Sequence, residues 1–306
     1  QHKHVLGLTN INLDLKNKNI EVIMGLSGSG KSTLIRHINR LIEPTAGSIM
    51  IGGEDVIQMN PEQLRRFRQQ KTAMVFQSFA LLPHKTVMDN VCYGIHLQGI
   101  AGEEAVKRAQ RWIDRVGLDG YEDRYPSQLS GGMQQRVGLA RALTCDTEIL
   151  MMDEAFSALD PLIRSDMQDL LLQLQEELHK TIVFITHDLD EALKIGDQIA
   201  ILNGGALVQH GSPQDILMNP ADQYVTDFVK KVNRSHVLHA ESVMISDKPE
   251  TNTNVFVKES DTIDNVLCEL LRSNAEYAVV RNESGSDTGY LTKHCIAQVV
   301  KPVVNE

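Results

Sequence analysis

The chain has 306 residues, enough for one large domain and a small one. Its formal net charge of −10 argues against generic attraction to nucleic acid or anionic lipid. With 42% hydrophobic and 23% charged residues it has the balance of an ordinary folded protein, and no apolar run approaches the ~20 residues of a membrane helix.

Residues 1–10 carry no signal-peptide apolar core. The apolar run 20–24 predicts a buried strand that leads into a glycine loop. Leu34, Ile35, Ile38 and Leu41 then fall at helical spacing, so a helix is expected over about 32–41, ended by Pro44 and Gly47. Arg65, Arg66, Arg68 and Lys71 form a local basic patch, read as a solvated helix face. Short apolar runs at 73–76, 149–152, 182–186 and 198–202 predict further strands. The last three are separated by helical patterns, which argues for a largely parallel sheet covered by helices. Residues 78–144 are mostly helical in pattern and form an inserted helical subdomain. Asn203-Gly204-Gly205 predicts a hairpin turn, because these residues tolerate positive φ. From about His236 the texture changes: a polar stretch over 242–254, a strand at 255–257, a helix over 261–273, a strand at 277–280, a turn over 283–288 and a last apolar stretch. The expected division is a first domain over 1–235 and a small α/β domain over 236–306. Cys92, Cys145, Cys268 and Cys295 are far apart and make no Cys-x-x-Cys pair, which argues against a zinc site or disulfide framework and fits a reducing, cytosolic setting.

Three ordered strings carry chemistry. The first is Gly25-Leu26-Ser27-Gly28-Ser29-Gly30-Lys31-Ser32-Thr33, between a predicted strand and a predicted helix. Glycine lets backbone N–H groups turn toward phosphate with no Cβ in the way, and the helix N-terminus adds a favourable dipole. Gly25, Ser27, Gly28, Ser29 and Gly30 would line the phosphates, Lys31 would bind the β- and γ-phosphates, Ser32 would ligate Mg2+ and Thr33 would sit near the α-phosphate. The second string is Asp153-Glu154 at the end of an apolar run. Alone it would serve equally as a solvated strand end. After a phosphate loop, Asp153 is read as holding Mg2+ through water and Glu154 as the general base. The third is Ser130-Gly131-Gly132 before a helical run, either a second anion site or an ordinary helix cap.

A phosphate loop, then Leu129-Ser130-Gly131-Gly132-Met133-Gln134-Gln135-Arg136, then a strand ending Asp153-Glu154, resembles the ATPase subunit of an ABC transporter. The resemblance implies an α/β fold: a P-loop ABC ATPase domain with a mixed sheet core and a helical subdomain. It implies ATP with Mg2+, and two subunits paired head to tail, with Ser130, Gly131 and Gly132 of each closing over the γ-phosphate held by the other. It assigns His187 as the switch histidine, Gln77 as the Q-loop residue that senses Mg2+ and the γ-phosphate, and Asp160 as the D-loop aspartate at the subunit interface. The family stacks adenine on an aromatic ahead of the loop. Here the first 24 residues contain no Phe, Trp or Tyr, so either His2 or His4 substitutes or the chain starts downstream of the true N-terminus. Phe79, Leu81, Leu82 and Pro83, after Gln77, would dock a permease or simply be core.

Narrower strings extend the match over about 6–232. Arg40-Leu41-Ile42-Glu43-Pro44-Thr45, Met74-Val75-Phe76-Gln77-Ser78-Phe79, Ser157-Ala158-Leu159-Asp160-Pro161-Leu162-Ile163-Arg164 and Thr186-His187-Asp188-Leu189-Asp190-Glu191-Ala192 are similar to the ATPases of glycine betaine/proline betaine (quaternary amine) uptake systems. That resemblance implies ATP hydrolysis that powers import of a compatible solute or choline-like nutrient through a partner permease. It also implies a substrate-binding protein indirectly, no nucleic acid, and a peripheral place on the cytoplasmic face of the membrane. Tyr277-Ala278-Val279-Val280 with Gly289-Tyr290-Leu291-Thr292 makes the tail resemble a single CBS module. Such modules usually pair, and the nucleotide-binding ones place an aspartate where Cys295 stands, so a dimerising or packing role stands beside a regulatory one. The competing readings are an importer for an amino acid, polyamine or metal chelate, a soluble ABC ATPase of translation or DNA repair, and a nucleotide-binding sensor.

Overall fold

Ile20–Met24 (β1) is buried at all five positions, the environment of a parallel strand covered on both faces. The computed structural model describes residues 6–230, 232–249, 253 and 255–300. His2 and His4 lie outside the described residues. By Cα proximity the chain forms two compact units, residues 1–210 and 211–306.

In the first unit β1 is followed by α1 (Lys31–Ile38), the antiparallel pair β2 (Met50–Ile51) and β3 (Glu54–Asp55), α2 (Pro61–Gln70) and β4 (Thr72–Phe76). Three helices come next: α3 (Val87–Leu97), α4 (Glu103–Arg115) and α5 (Gly131–Thr144). Strands and helices then alternate through β5 (Ile149–Asp153), α6 (Pro161–Leu178), β6 (Thr181–Thr186), α7 (Leu189–Ile195), β7 (Gln198–Asn203) and β8 (Ala206–Gly211). Helices α2 and α3 start where the sequence supplies an oxygen for the free N–H groups. Asn60 accepts from Glu62 and Gln63 N at 3.0 Å, and Thr86 Oγ1 accepts from Asp89 N at 3.2 Å.

Six strands form one sheet in the order β4-β5-β6-β1-β7-β8. β4, β5, β6, β1 and β7 are mutually parallel along that order. Ile23, Ile35, Met151, Val183, Ile185, Ala200 and Leu202 are fully buried in one cluster between this sheet and α1. Strand register sets which residues share the sheet edge. Met24 lies beside Thr186, Phe76 beside Asp153, and Asp153 beside Ile185. The next residues of four strands (Gly25, Gln77, Glu154 and His187) therefore leave at one carboxyl edge, where doubly wound sheets bind ligands. The expected hairpin is present: β7 and β8 are neighbours joined by Gly204 and Gly205, with φ of 55° and 84°.

Two expectations need correction. α1 ends at Ile38 rather than Leu41, because Arg40 turns left-handed at φ 52°. Arg68 is not on a solvated face. Its guanidinium donates to Asn39 O at 3.0 Å and Arg40 O at 2.6 Å, holding the end of α1. The other basic residues do face solvent: Arg66 pairs with Glu62 and Lys71 with Glu148, each at 2.6 Å.

The second unit holds α8 (Pro213–Met218), α9 (Gln223–Val229), α10 (Ala240–Val243), β9 (Phe256–Lys258), α11 (Ile263–Arg272), β10 (Tyr277–Arg281), β11 (Asp287–Thr292) and α12 (Lys293–Val300). Its sheet order is β11-β10-β9, with β10 parallel to β9 and antiparallel to β11. Thr292 Oγ1 accepts from Cys295 N at 3.1 Å and donates to its Sγ at 3.0 Å, so Cys295 closes the start of α12.

One buried acid lies in β1 away from the carboxyl edge. Glu21 is 1% exposed and its carboxyl oxygens have no hydrogen-bond partner. His210 Nε2 lies 3.0 Å from Oε1 without hydrogen-bond alignment. Burial pushes the Glu21 pKa up from 4.5 to about 7, with Lys16 opposing and Asp197 reinforcing. Burial likewise pushes His210 down. The folded chain thus holds a proton on Glu21 that the unfolded chain has released, so this contribution to stability is complete below pH 4.5 and is lost as pH rises through about 7. Glu21→Gln is expected to leave urea stability nearly unchanged at pH 4.5 and to raise it at pH 8. An equal shift at both pH values would show that Glu21 titrates normally.

Candidate functional site

The loop between β1 and α1 is shaped by its glycines. Gly25 has φ 150°, and a Cβ there would fall 2.2 Å from Leu202 O and 2.7 Å from Ser29 Oγ. No side chain fits, so the loop passes against β7. Gly28 has φ 81° and open space where a Cβ would stand. It shares the exposed loop tip with Ser27. Ser29 is 4% exposed and its Oγ has no hydrogen-bond partner, a buried polar atom inside the loop. Gly30, at φ 102°, precedes the first turn of α1, which carries Lys31, Ser32 and Thr33.

Lys31 is 5% exposed. Its Nζ donates to Gly25 O at 2.8 Å and Leu26 O at 3.2 Å, and lies 3.8 Å from Glu154 Oε1. Burial pulls its pKa down, while Glu154 and Asp153 push it up. The ammonium is thus curled inside the loop against its own carbonyls. Ser32 Oγ donates to Asp153 Oδ1 at 2.8 Å, and Arg36 Nη2 lies 3.4 Å from Asp153 Oδ2. A hydroxyl and a carboxylate in contact make an oxygen donor pair suited to a hard divalent cation.

Glu154 follows β5 with φ 47°, an uncommon conformation for a residue with a Cβ. Its N–H donates to Ile185 O at 3.2 Å. Its carboxylate collects the other edge residues. Gln77 Nε2 donates to Glu154 Oε2 at 3.2 Å, and His187 Nδ1 lies 3.6 Å from the same oxygen. Gln77 and His187 are exposed, whereas Asp153 is buried. His187 is placed by its neighbours: Asp188 N donates to Thr186 Oγ1 at 3.0 Å, and Asp188 Oδ1 caps α7.

The structure thus brings Lys31, Ser32, Gln77, Asp153, Glu154 and His187 together, while Ser130, Gly131, Gly132 and Asp160 form a second group. Ser130 Oγ accepts from Met133 N at 3.3 Å at the start of α5, and Asp160 Oδ1 accepts from Ile163 N at 3.1 Å at the start of α6. A Cβ on Gly132 would fall 2.7 Å from Ile163 Cγ2, so the two helix starts touch. Among the described residues no hydrogen bond or ion pair joins these four to the first group. Phe79, Leu81 and Leu82 are half-buried and Pro83 is exposed, so this segment is not core.

Two site residues carry no signal that the sequence reading used. Arg36 stands one helical turn after Ser32, and that spacing alone places both on the Asp153 side of α1. Ser157, three residues after Glu154, donates to Glu154 O at 2.8 Å and accepts from Gln77 Nε2 at 3.3 Å. Only the turn at Glu154 reveals its role, and nothing in the string announces that turn.

Residues 8–157 match the ABC transporter family. The chain is 57% identical over 239 residues to the glycine betaine transport ATP-binding protein OpuAA of Bacillus subtilis, covering 78% of this chain and 57% of that protein. It is 47% identical over 277 residues to the trimethylamine N-oxide transport system ATP-binding protein TmoW of Pelagibacter ubique, covering 90% and 81%. The match thus spans under two thirds of the betaine-transport relative's length. Among solved structures, the ATP-binding cassette MJ0796, a dimer in a post-hydrolysis state bound to ADP and Pi, is 34% identical with a TM-score of 0.65 over 70% of this chain and 94% of that one. A shared fold and 47% identity across 81% of a relative's length lead to one placement: the chain belongs to the ATP-binding proteins of the ABC transporter family.

Proposed function

We propose that this chain is the ATP-hydrolysing subunit of an importer for a quaternary amine such as glycine betaine, proline betaine or a choline-like solute. The observation that carries the reading is the cluster of Gln77 and His187 on the Glu154 carboxylate, beside Lys31 and the Ser32–Asp153 pair.

Each residue then has a task. Backbone N–H groups of Gly25, Ser27, Gly28, Ser29 and Gly30 cradle the phosphates, and the buried Ser29 hydroxyl is free to join them. Thr33 contributes at the α-phosphate end. Lys31 transfers its donors from the carbonyls of Gly25 and Leu26 to phosphate oxygens. Ser32, Asp153 and Gln77 would hold Mg2+, which would neutralise charge on the phosphates. Glu154 accepts the proton of the water whose oxygen bonds to the γ-phosphorus, and the bond to the ADP oxygen breaks, leaving ADP and phosphate. His187, anchored by Thr186 and the α7 cap, orients that water. Positioning and charge stabilisation supply the acceleration.

The second group completes the site from another copy. Ser130, Gly131 and Gly132 present N–H groups at the start of α5, and Asp160 adjoins them, so a head-to-tail homodimer encloses two nucleotides. A transmembrane permease receives the motion at Phe79, Leu81, Leu82 and Pro83 and accepts solute from a substrate-binding protein. No helix among the described residues is long and apolar enough to cross a membrane, which suits a peripheral subunit on the cytoplasmic face. We assign 1–235 to the ATPase domain, with 78–144 as its helical subdomain, and 236–306 to a CBS-like domain of one module. Its three-stranded sheet with α11 and α12 supports that likeness.

A second solute reading comes from the fuller coverage of the trimethylamine N-oxide relative. Uptake of labelled glycine betaine and trimethylamine N-oxide by host cells lacking this gene decides between them. Restoration of betaine uptake by the wild-type gene, and not by Glu154→Gln, is expected. Restoration of the N-oxide alone would move the assignment to the second solute.

A further inference from the structure

The chain leaves β4 through a strained turn. Phe79 and Ala80 have φ of 60° and 48°, the one consecutive pair of non-glycine residues in the left-handed region among the described residues. The turn is tight: Phe79 N donates to Phe76 O at 3.1 Å and Ala80 N to Ser78 O at 2.6 Å. Neither residue is glycine or asparagine, so local preference opposes this conformation and something outside the turn must hold it.

That support comes from α5. Arg141 Nη1 donates to Ala80 O at 2.8 Å and Nη2 to Phe79 O at 3.1 Å. No carboxylate pairs with Arg141 among the described residues, and burial pushes its pKa down. Its planar fork is committed to two successive carbonyls, a geometry that a lysine ammonium does not reproduce. The Phe79 side chain makes a second contact with the same helix, with Cζ 3.8 Å from where a Cβ on Gly131 would stand. α5 is also the helix whose start presents Ser130, Gly131 and Gly132. The segment so held begins two residues after Gln77, whose amide reaches Glu154 and Ser157.

We propose that Arg141 is a positioning residue for hydrolysis: by clamping the carbonyls of Phe79 and Ala80 it fixes the exit of the chain after Gln77, and so ties the Gln77 amide to the helix that carries Ser130, Gly131 and Gly132. This rests on the reading of Gln77 as a contact to Mg2+ and the γ-phosphate. A side chain that only fills space between α5 and β4 predicts something different. Its loss would lower stability, and relief of backbone strain at Ala80 would not restore turnover.

The test uses the full chain and four proteins: wild type, Arg141→Gln, Ala80→Gly and the double variant. ATP hydrolysis is followed against Mg2+ concentration, and Mg2+-free nucleotide binding is measured beside it. Arg141→Gln is expected to lower kcat and raise half-saturating Mg2+ by about tenfold each, with Mg2+-free binding within about twofold of wild type. Glycine at 80 takes positive φ without strain, so Ala80→Gly alone should stay within about twofold of wild type and the double variant should regain most of the lost kcat. Arg141→Lys, which keeps a donor to one carbonyl, should fall between and serves if Arg141→Gln does not fold. Wild-type kcat and Mg2+ dependence in Arg141→Gln, or a loss that Ala80→Gly leaves untouched, overturns the proposal. Gln77→Ala separates the two readings: normal hydrolysis in that variant removes the role of Gln77 itself, whatever Arg141 does.

Discussion

Glu154→Gln is expected to bind ATP with near wild-type affinity and to hydrolyse it about 10²–10⁴-fold more slowly, the range supplied by a positioned general base. The substitution is close to isosteric. The αL backbone of residue 154, its N–H to Ile185 O and the hydroxyl of Ser157 on its carbonyl all remain. An amide oxygen still accepts from Gln77. What disappears is the group able to take a proton at the meeting point of Gln77 and His187. Single-turnover hydrolysis with an independent binding titration measures both halves of the prediction. Turnover within about threefold of wild type would remove Glu154 as the base and leave His187 as the next group within reach.

Lys31→Ala carries the second large effect, on binding. Hydrogen bonds to a charged group are worth about 1.5–3 kcal/mol, which is roughly a 10- to 150-fold loss of nucleotide affinity for one such contact. Two consequences add to it. The carbonyls of Gly25 and Leu26 lose their buried donor, and Glu154 loses the cation at 3.8 Å. Lys31→Met keeps the stem that fills this 5% exposed position and removes only the charge, so it separates loop collapse from lost phosphate contact. Equal affinity losses in both variants are expected in a fluorescent-nucleotide titration. Unchanged affinity in Lys31→Met would place the phosphates elsewhere.

Much of this site is legible in the amino-acid string alone. Gly25, Lys31 and Ser32 announce themselves because each needs a particular residue type beside a strand end, Asp153-Glu154 gains its reading from that loop upstream, and the apolar runs give those strands. The parallel sheet and the Gly204-Gly205 hairpin follow from period and turn chemistry. Gln77 and His187 are visible only by resemblance, since a lone glutamine and a lone histidine carry no local signature. Their convergence on Glu154 is a product of register: four strands end at the same level because Phe76 pairs with Asp153 and Met24 with Thr186. Arg68 and Arg141 are illegible for a related reason. Both spend their guanidinium on backbone carbonyls of left-handed turns, and neither the turns nor the distance to them is written in the local string.

On the proposed function, hydrolysis requires a nucleotide shared between two chains, since among the described residues no hydrogen bond or ion pair joins Ser130, Gly131 and Gly132 to the group around the phosphate loop. Sedimentation of the Glu154→Gln chain with saturating ATP and Mg2+ tests this most directly. The predicted result is a dimer that holds two nucleotides and returns to monomer when Ser130→Arg is added. A monomer that holds one nucleotide per chain at every concentration would contradict it.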